Sequence, residues 1–214
     1  NAHTVLIGNY CHHNKMSGIG FAACELGRSS VLNNRVIDNA LVAVGINSGW
    51  SVTLTGNEFS RDAGLPPIVM VFAGAEATFT NNVISGVGVA GIRVSGTVRA
   101  DNNHFRGLTL RKSGPPNFAM WALKGAKVTL SENTVTSWRH ALHASECEVV
   151  INGNKVSDFQ KVAFVISKPT RLPVIVGNIV VSSDPKTLIA TVDGEPAGIG
   201  VNQIDHPVNL DQRP

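Results

Sequence analysis

The sequence predicts an all-β solenoid, a parallel β-helix, and three observations predict it. A short pattern of the form apolar-x-x-Asn-x-apolar recurs along the chain. Its Asn falls at Asn9, Asn34, Asn57, Asn82, Asn103, Asn133, Asn154, Asn178 and, with weaker flanks, Asn202. The steps between them are 25, 23, 25, 21, 30, 21, 24 and 24 residues. A repeat with a period in the twenties stacks one coil per repeat. Residues around each Asn alternate apolar and polar with period two, and no helical run of apolar residues competes. Val, Ile and Thr carry the repeat, whereas a leucine-rich repeat of this period needs Leu and a helical segment. The expectation is a single-stranded solenoid of about eight to nine coils, each of about 24 residues.

Each coil can be read outward from its Asn. Three residues before it stand Leu6, Val31, Leu54, Phe79, Ala100, Leu130, Ile151, Ile175 and Ile199. Two residues after it stand Cys11, Val36, Phe59, Ile84, Phe105, Val135, Val156, Val180 and Ile204. All are apolar, so both columns are expected to face the core. The Asn between them marks the bend. Asn tolerates left-handed backbone angles, and amides stacked about 4.8 Å apart can bond along the axis. Positions four before the Asn are mostly polar (Ser30, Thr53, Thr78, Arg99, Thr129), although Val150 and Val174 interrupt them. That sheet face is expected to be solvated.

Counting further back without gaps exposes another strand. It places Val44, Val69, Met120, Ala141 and Val165 on one inward column, with Ile46, Val71, Ala122 and His143 on a second. Its outward positions are then unusually apolar. Ile68, Met70, Val89, Trp121, Leu142, Phe164 and Ile166 form one expected stripe. A sheet apolar on both sides is normally covered on both sides. The expected partner is another protein segment or a sister subunit.

Composition bounds the rest. The chain has 214 residues and a net charge of +3, with 43% hydrophobic and 15% charged residues. That excludes a disordered chain and gives no nucleic-acid footprint. No apolar run is long enough for a membrane span. Residues 1–204 read as one repeat domain and 205–214 as a tail. A chain starting at Asn1 reads as a piece of a longer protein. The odd number of cysteines (Cys11, Cys24, Cys147) argues against a disulfide framework and for buried thiols.

The Asn-x-apolar repeat resembles the right-handed parallel β-helix superfamily of pectate-lyase-like fold, over nearly the whole chain. The resemblance implies a right-handed coil. The superfamily holds polysaccharide lyases, hydrolases and epimerases, phage tailspikes and many non-catalytic repeat domains. It therefore leaves two functions open. One is a non-catalytic scaffold, assembly or surface-interaction module within a larger, tailspike-like protein or complex. The other is a domain that binds acidic polysaccharide or acts on it as a lyase or epimerase. Either implies an extracellular, cell-surface or virion-like setting.

Catalytic signals are sparse. No paired Asp columns suggest a glycosidase, and no Asp cluster suggests a calcium site. Neither cofactor nor metal is expected. The best candidate chemistry lies at one corner, where Arg111, Lys112, Arg139 and His140 are candidate catalytic groups. Arg61, Arg106, Trp121 and Trp138 are candidate ligand contacts. A basic side chain beside an acidic sugar could bind it or abstract a proton. His140 with His143, and His12 with His13, resemble metal pairs only weakly.

Overall fold

In a computed structural model, residues 2–110, 113–198 and 200–205 are described, and they form three parallel sheets wrapped around one core. Sheet A has eight strands, from Ala2–Ile7 to Val174–Val176. Sheet B has nine, from Tyr10–His12 to Gln203–Asp205. Sheet C runs from Ile19–Phe21 to Leu188–Val192 in parallel, and one antiparallel strand, Glu195–Ala197, closes its last edge. One coil, typified by Val44–Ile46, Trp50–Thr55 and Glu58–Arg61, visits all three sheets. No helix occurs among the described residues. Arg111, Lys112, Ile199 and the expected tail from His206 onward lie outside the described residues, while Asp205 pairs with Val181 in sheet B.

The two columns beside the Asn hold throughout. In sheet A, Leu6, Val31, Leu54, Phe79, Ala100, Leu130, Ile151 and Ile175 stand in one register. Phe79 faces Ala100 across neighbouring coils, so a large ring is matched to a small side chain. In sheet B, Val36, Phe59, Ile84, Phe105 and Val135 align in the same way. Phe59, Phe79 and Phe105 are almost wholly buried. Each such side chain stabilises by about 1.5–3 kcal/mol relative to exposure.

Nine Asn form a continuous ladder at the corner between sheets A and B. Asn57 is typical. Its backbone N–H and its Nδ2 both donate to Asn82 Oδ1, each at 2.9 Å. Its Nδ2 also donates to Val31 O at 2.8 Å. Asn82 repeats the pattern onto Asn103, and Asn103 onto Asn133. The ladder runs unbroken from Asn9 to Asn202.

The left-handed residue is not the ladder Asn but its predecessor. Positive φ falls at Gly8, Asn33, Gly56, Asn81, Asn102, Glu132, Gly153 and Gly177. The ladder Asn is therefore selected for its amide, and the residue before it for the turn. This corrects the expectation that one residue serves both purposes.

Sheet C departs from the gapless count. Its inward column runs Val44, Val69, Ile92, Met120, Leu142, Phe164, Ala190. Ala122 stands an odd number of residues before Asn133, but Ala144 stands an even number before Asn154. The corner leading into sheet A thus changes length by an odd step in the last coils. A one-residue slip turns every side chain to the other face. Leu142, Phe164 and Ile166 consequently point inward and are buried, and Ile68 packs into the same core. His143 and Val165 face outward instead. The expected seven-residue apolar stripe does not exist: only Met70, Val89 and Trp121 remain half-exposed.

The ladder is expected to dominate local stability. Asn82→Ala strands the buried Asn57 N–H, takes one acceptor from Asn57 Nδ2 and removes the side-chain donor to the Leu54 carbonyl. Urea unfolding followed by circular dichroism should show a loss of roughly 3–5 kcal/mol. Asn9→Ala, on the exposed first rung, should cost under about 1 kcal/mol.

Candidate functional site

With the register corrected, the outward row of sheet C reads Gly20, Gly45, Met70, Arg93, Trp121, His143, Val165, Thr191, one residue per coil. Three residues earlier on the strands, Phe118 pairs with His140. These two rows bring together an aromatic and cationic cluster. The Phe118 ring stacks on His143 with centroids 4.6 Å apart and an interplanar angle of 8°. His140 stacks on the same ring at 5.4 Å, and Trp121 meets it edge-on at 5.9 Å. The Arg93 guanidinium carbon lies 5.5 Å from the Trp121 ring centroid, within cation–π range.

The polar atoms of this cluster are sparsely partnered. His140 Nδ1 lies 2.7 Å from Val162 O. A carbonyl only accepts, so Nδ1 carries the proton and Nε2 keeps its lone pair. Arg93 Nε and His143 Nδ1 are buried with no hydrogen-bond partner among the described residues. No Asp or Glu occurs in the parallel strands of sheet C. Desolvation by burial pushes both imidazoles below their ordinary pKa. His143 and Arg139 push His140 further down, against the hydrogen bond to Val162. Both rings are therefore neutral near pH 7.

The corner expected to hold a basic site is divided. Arg61 is 5% exposed and turned inward. Its Nη2 donates to Asn39 O at 2.8 Å and also to Leu41 O, and Nη1 donates to Ala63 O at 3.3 Å. It ties down the corner between sheets B and C and is not a ligand contact. Trp138 is wholly buried and is likewise withdrawn from the surface. Arg106 is exposed on the outer face of sheet B, in register with Ser85 and Thr136. Arg139 donates to the Gly114 and Pro115 carbonyls, at 3.4 and 3.1 Å, and so ties down that turn. Of the sequence candidates, only Trp121 and His140 belong to the cluster. Arg93 and Phe118 were missed because both lie outside the two outward positions counted back from each Asn. The alternation Ile92-Arg93-Val94 was the available signal for Arg93.

The remaining candidates are structural or isolated. Cys147 is buried, and its thiol donates to Leu123 O and Ser145 O at 3.0 and 2.9 Å. Burial raises its pKa. Cys11 and Cys24 are free thiols of intermediate exposure. His12 and His13 contact each other at 2.9 Å, but no group of three or more His, Cys, Asp or Glu is poised to hold a metal among the described residues.

The family described as right-handed beta helix region matches residues 1–110 and 47–204, which together span most of the chain. The chain belongs to the right-handed β-helix family. No curated protein matches it. Among solved structures, a trypsin-treated variant of QnrB1, a plasmid-mediated fluoroquinolone resistance protein, is similar at 12% identity. The match covers 97% of this chain and 92% of that chain, with a TM-score of 0.22. Likeness at that level carries no argument. No helix among the described residues is long and apolar enough to cross a membrane.

Two outcomes follow from the geometry. A His whose folded pKa is lowered binds fewer protons folded than unfolded. Stability is thus full above the ordinary value of 6.5 and falls as pH drops below it. The melting temperature should decline as pH falls below about 6.5, and less steeply in the double variant His140→Gln, His143→Gln. Arg61→Ala should destabilise by about 2 kcal/mol in urea, since three carbonyls lose their donor.

Proposed function

We propose that the chain is a non-catalytic β-helix module that binds an acidic glycan along the outer face of sheet C. The observation that carries this reading is the outward row Met70, Arg93, Trp121, His143, flanked by His140 and backed by the buried Phe118 ring. Aromatic faces offer apolar area to the C–H faces of sugar rings, and polar groups around them set orientation. Among the described residues no carboxylate pairs with Arg93, so a ligand carboxylate or sulfate would find its guanidinium open to an ion pair. Successive coils repeat at about 4.8 Å, which suits a polymer lying along the axis. The assembly reading is less well supported, because Ile68, Leu142, Phe164 and Ile166 belong to the core. A surface or secreted setting fits such a ligand.

A second reading keeps the ligand and adds chemistry. His140 Nε2 carries a lone pair beside a basic, aromatic face, which is the equipment for abstracting a proton next to a uronate carboxylate. The absence of a carboxylate from these strands argues against hydrolysis by an acid pair.

Calorimetric titration with polygalacturonate, alginate and neutral dextran tests the proposal. Binding of the two polyuronates, weakening with salt, and no binding of dextran are expected. Trp121→Ala and Arg93→Gln should each weaken binding by about tenfold or more. Equal binding of dextran, or affinity unchanged in both variants, refutes it. Growth of unsaturated-uronate absorbance that His140→Gln abolishes would establish the second reading instead.

A further inference from the structure

The outward row begins with two glycines that the fold does not require. Gly20 and Gly45 lie inside strands Ile19–Phe21 and Val44–Ile46 and pair with each other. A glycine within a strand weakens it and marks a bulge or a close approach. Neither residue has positive φ. A Cβ at Gly20 would meet nothing within 4 Å, and one at Gly45 would meet only Val42 Cγ2 at 3.5 Å, an ordinary contact. Backbone conformation and packing therefore leave these two positions free to carry a side chain. What they keep open is a groove of about 470 Å³ on the outer face of sheet C. Its floor is Gly20 and Gly45, and its walls are largely apolar, including Leu41, Pro66 and Phe72. Leu41 and Phe72 are exposed there, at 44% and 38%. At its far end Met70 adjoins Arg93.

Resting on the glycan reading, we infer that this groove seats an apolar substituent of the acidic glycan, such as an O-acetyl group, while Arg93 holds the anionic group. The two ends differ in chemistry, and the occupant must match both. Apolar walls with no carboxylate favour an uncharged acyl or alkyl group over a bare sugar hydroxyl. The Arg93 guanidinium two coils from Gly45 requires a negative charge about 10 Å along the axis. An acylated polyuronate carries both features at that spacing, within one or two sugar units.

The test compares one alginate preparation, chemically O-acetylated, with the same material after alkaline deacetylation. The wild-type chain should bind the acetylated polymer about tenfold more tightly. Gly45→Leu fills the groove and should bring acetylated binding down to the deacetylated level, with deacetylated binding changed by under about twofold. Gly20→Leu is the second variant, and circular dichroism checks that both fold. A wild-type chain indifferent to acetylation overturns the inference and leaves the glycan reading standing. So does a Gly45→Leu variant that weakens both polymers equally. If Gly45→Leu instead alters the sedimentation coefficient, the groove holds protein, and the inference falls. Absence of binding to either polymer refutes the glycan reading itself.

Discussion

The structure depends on satisfying the polar groups of one Asn at every corner between sheets A and B. In a solenoid without helices, the chain runs around the coil while its hydrogen bonds run along the axis. At each passage from sheet A to sheet B the chain turns within two residues, the first exposed and the second, the ladder Asn, buried in all but the end coils. An unpaired N–H or C=O at that depth costs as much as a lost hydrogen bond. The ladder Asn solves this with one short side chain. Its Oδ1 accepts two bonds from the coil before, and its Nδ2 reaches back to that coil's sheet A carbonyl. Leu or Ser at these positions would lack the donor or the reach. The columns of Phe, Ile, Leu and Val then stack because the ladder holds every coil in the same register.

This explains why part of the fold was legible in the sequence and part was not. The Asn is a fixed mark, and the strands touching it are tied to it by a constant two-residue corner. Reading three before and two after therefore held at every coil described, from Leu6 and Cys11 to Ile175 and Val180. Sheet C has no such mark. It is reached through corners whose lengths vary, and parity is lost between Ala122 and Ala144. Leu142, Phe164 and Ile166 are as apolar as any core residue, yet parity alone assigned them to the surface. The hydrophobic content of the strand could not correct the error, since a buried strand in such a sheet is apolar on nearly all positions.

The same uncertainty hid the cluster on the outer face. Trp121 and His140 were visible as unusual residues, but their neighbours come from other coils, and only register identifies them. Arg93, Trp121 and His143 are separated by more than twenty residues each in the chain and stand side by side across three strands. Such a row is costly to maintain. Burying two imidazoles away from water disfavours their charged forms, and Arg93 Nε and His143 Nδ1 lack partners among the described residues. A face kept only for folding would place Thr or Ser there, as sheet A does at Thr53, Thr78 and Thr129.

The uniformity of the ladder makes coil number a free variable. Each rung offers the next the same two donors and one acceptor, so no rung records its place in the stack. Excising residues 83–103 would join Asn82 to His104 and let Asn82 take the rung of Asn103, with the bonding rules above and below unchanged. The outer row would then pass from Met70 directly to Trp121, and its guanidinium would be gone. The make-up of the outer row can therefore be rewritten by gain or loss of a whole coil, with every surviving side chain left as it is. The unit of variation on this surface is the repeat, and the core that enforces the repeat is what permits it.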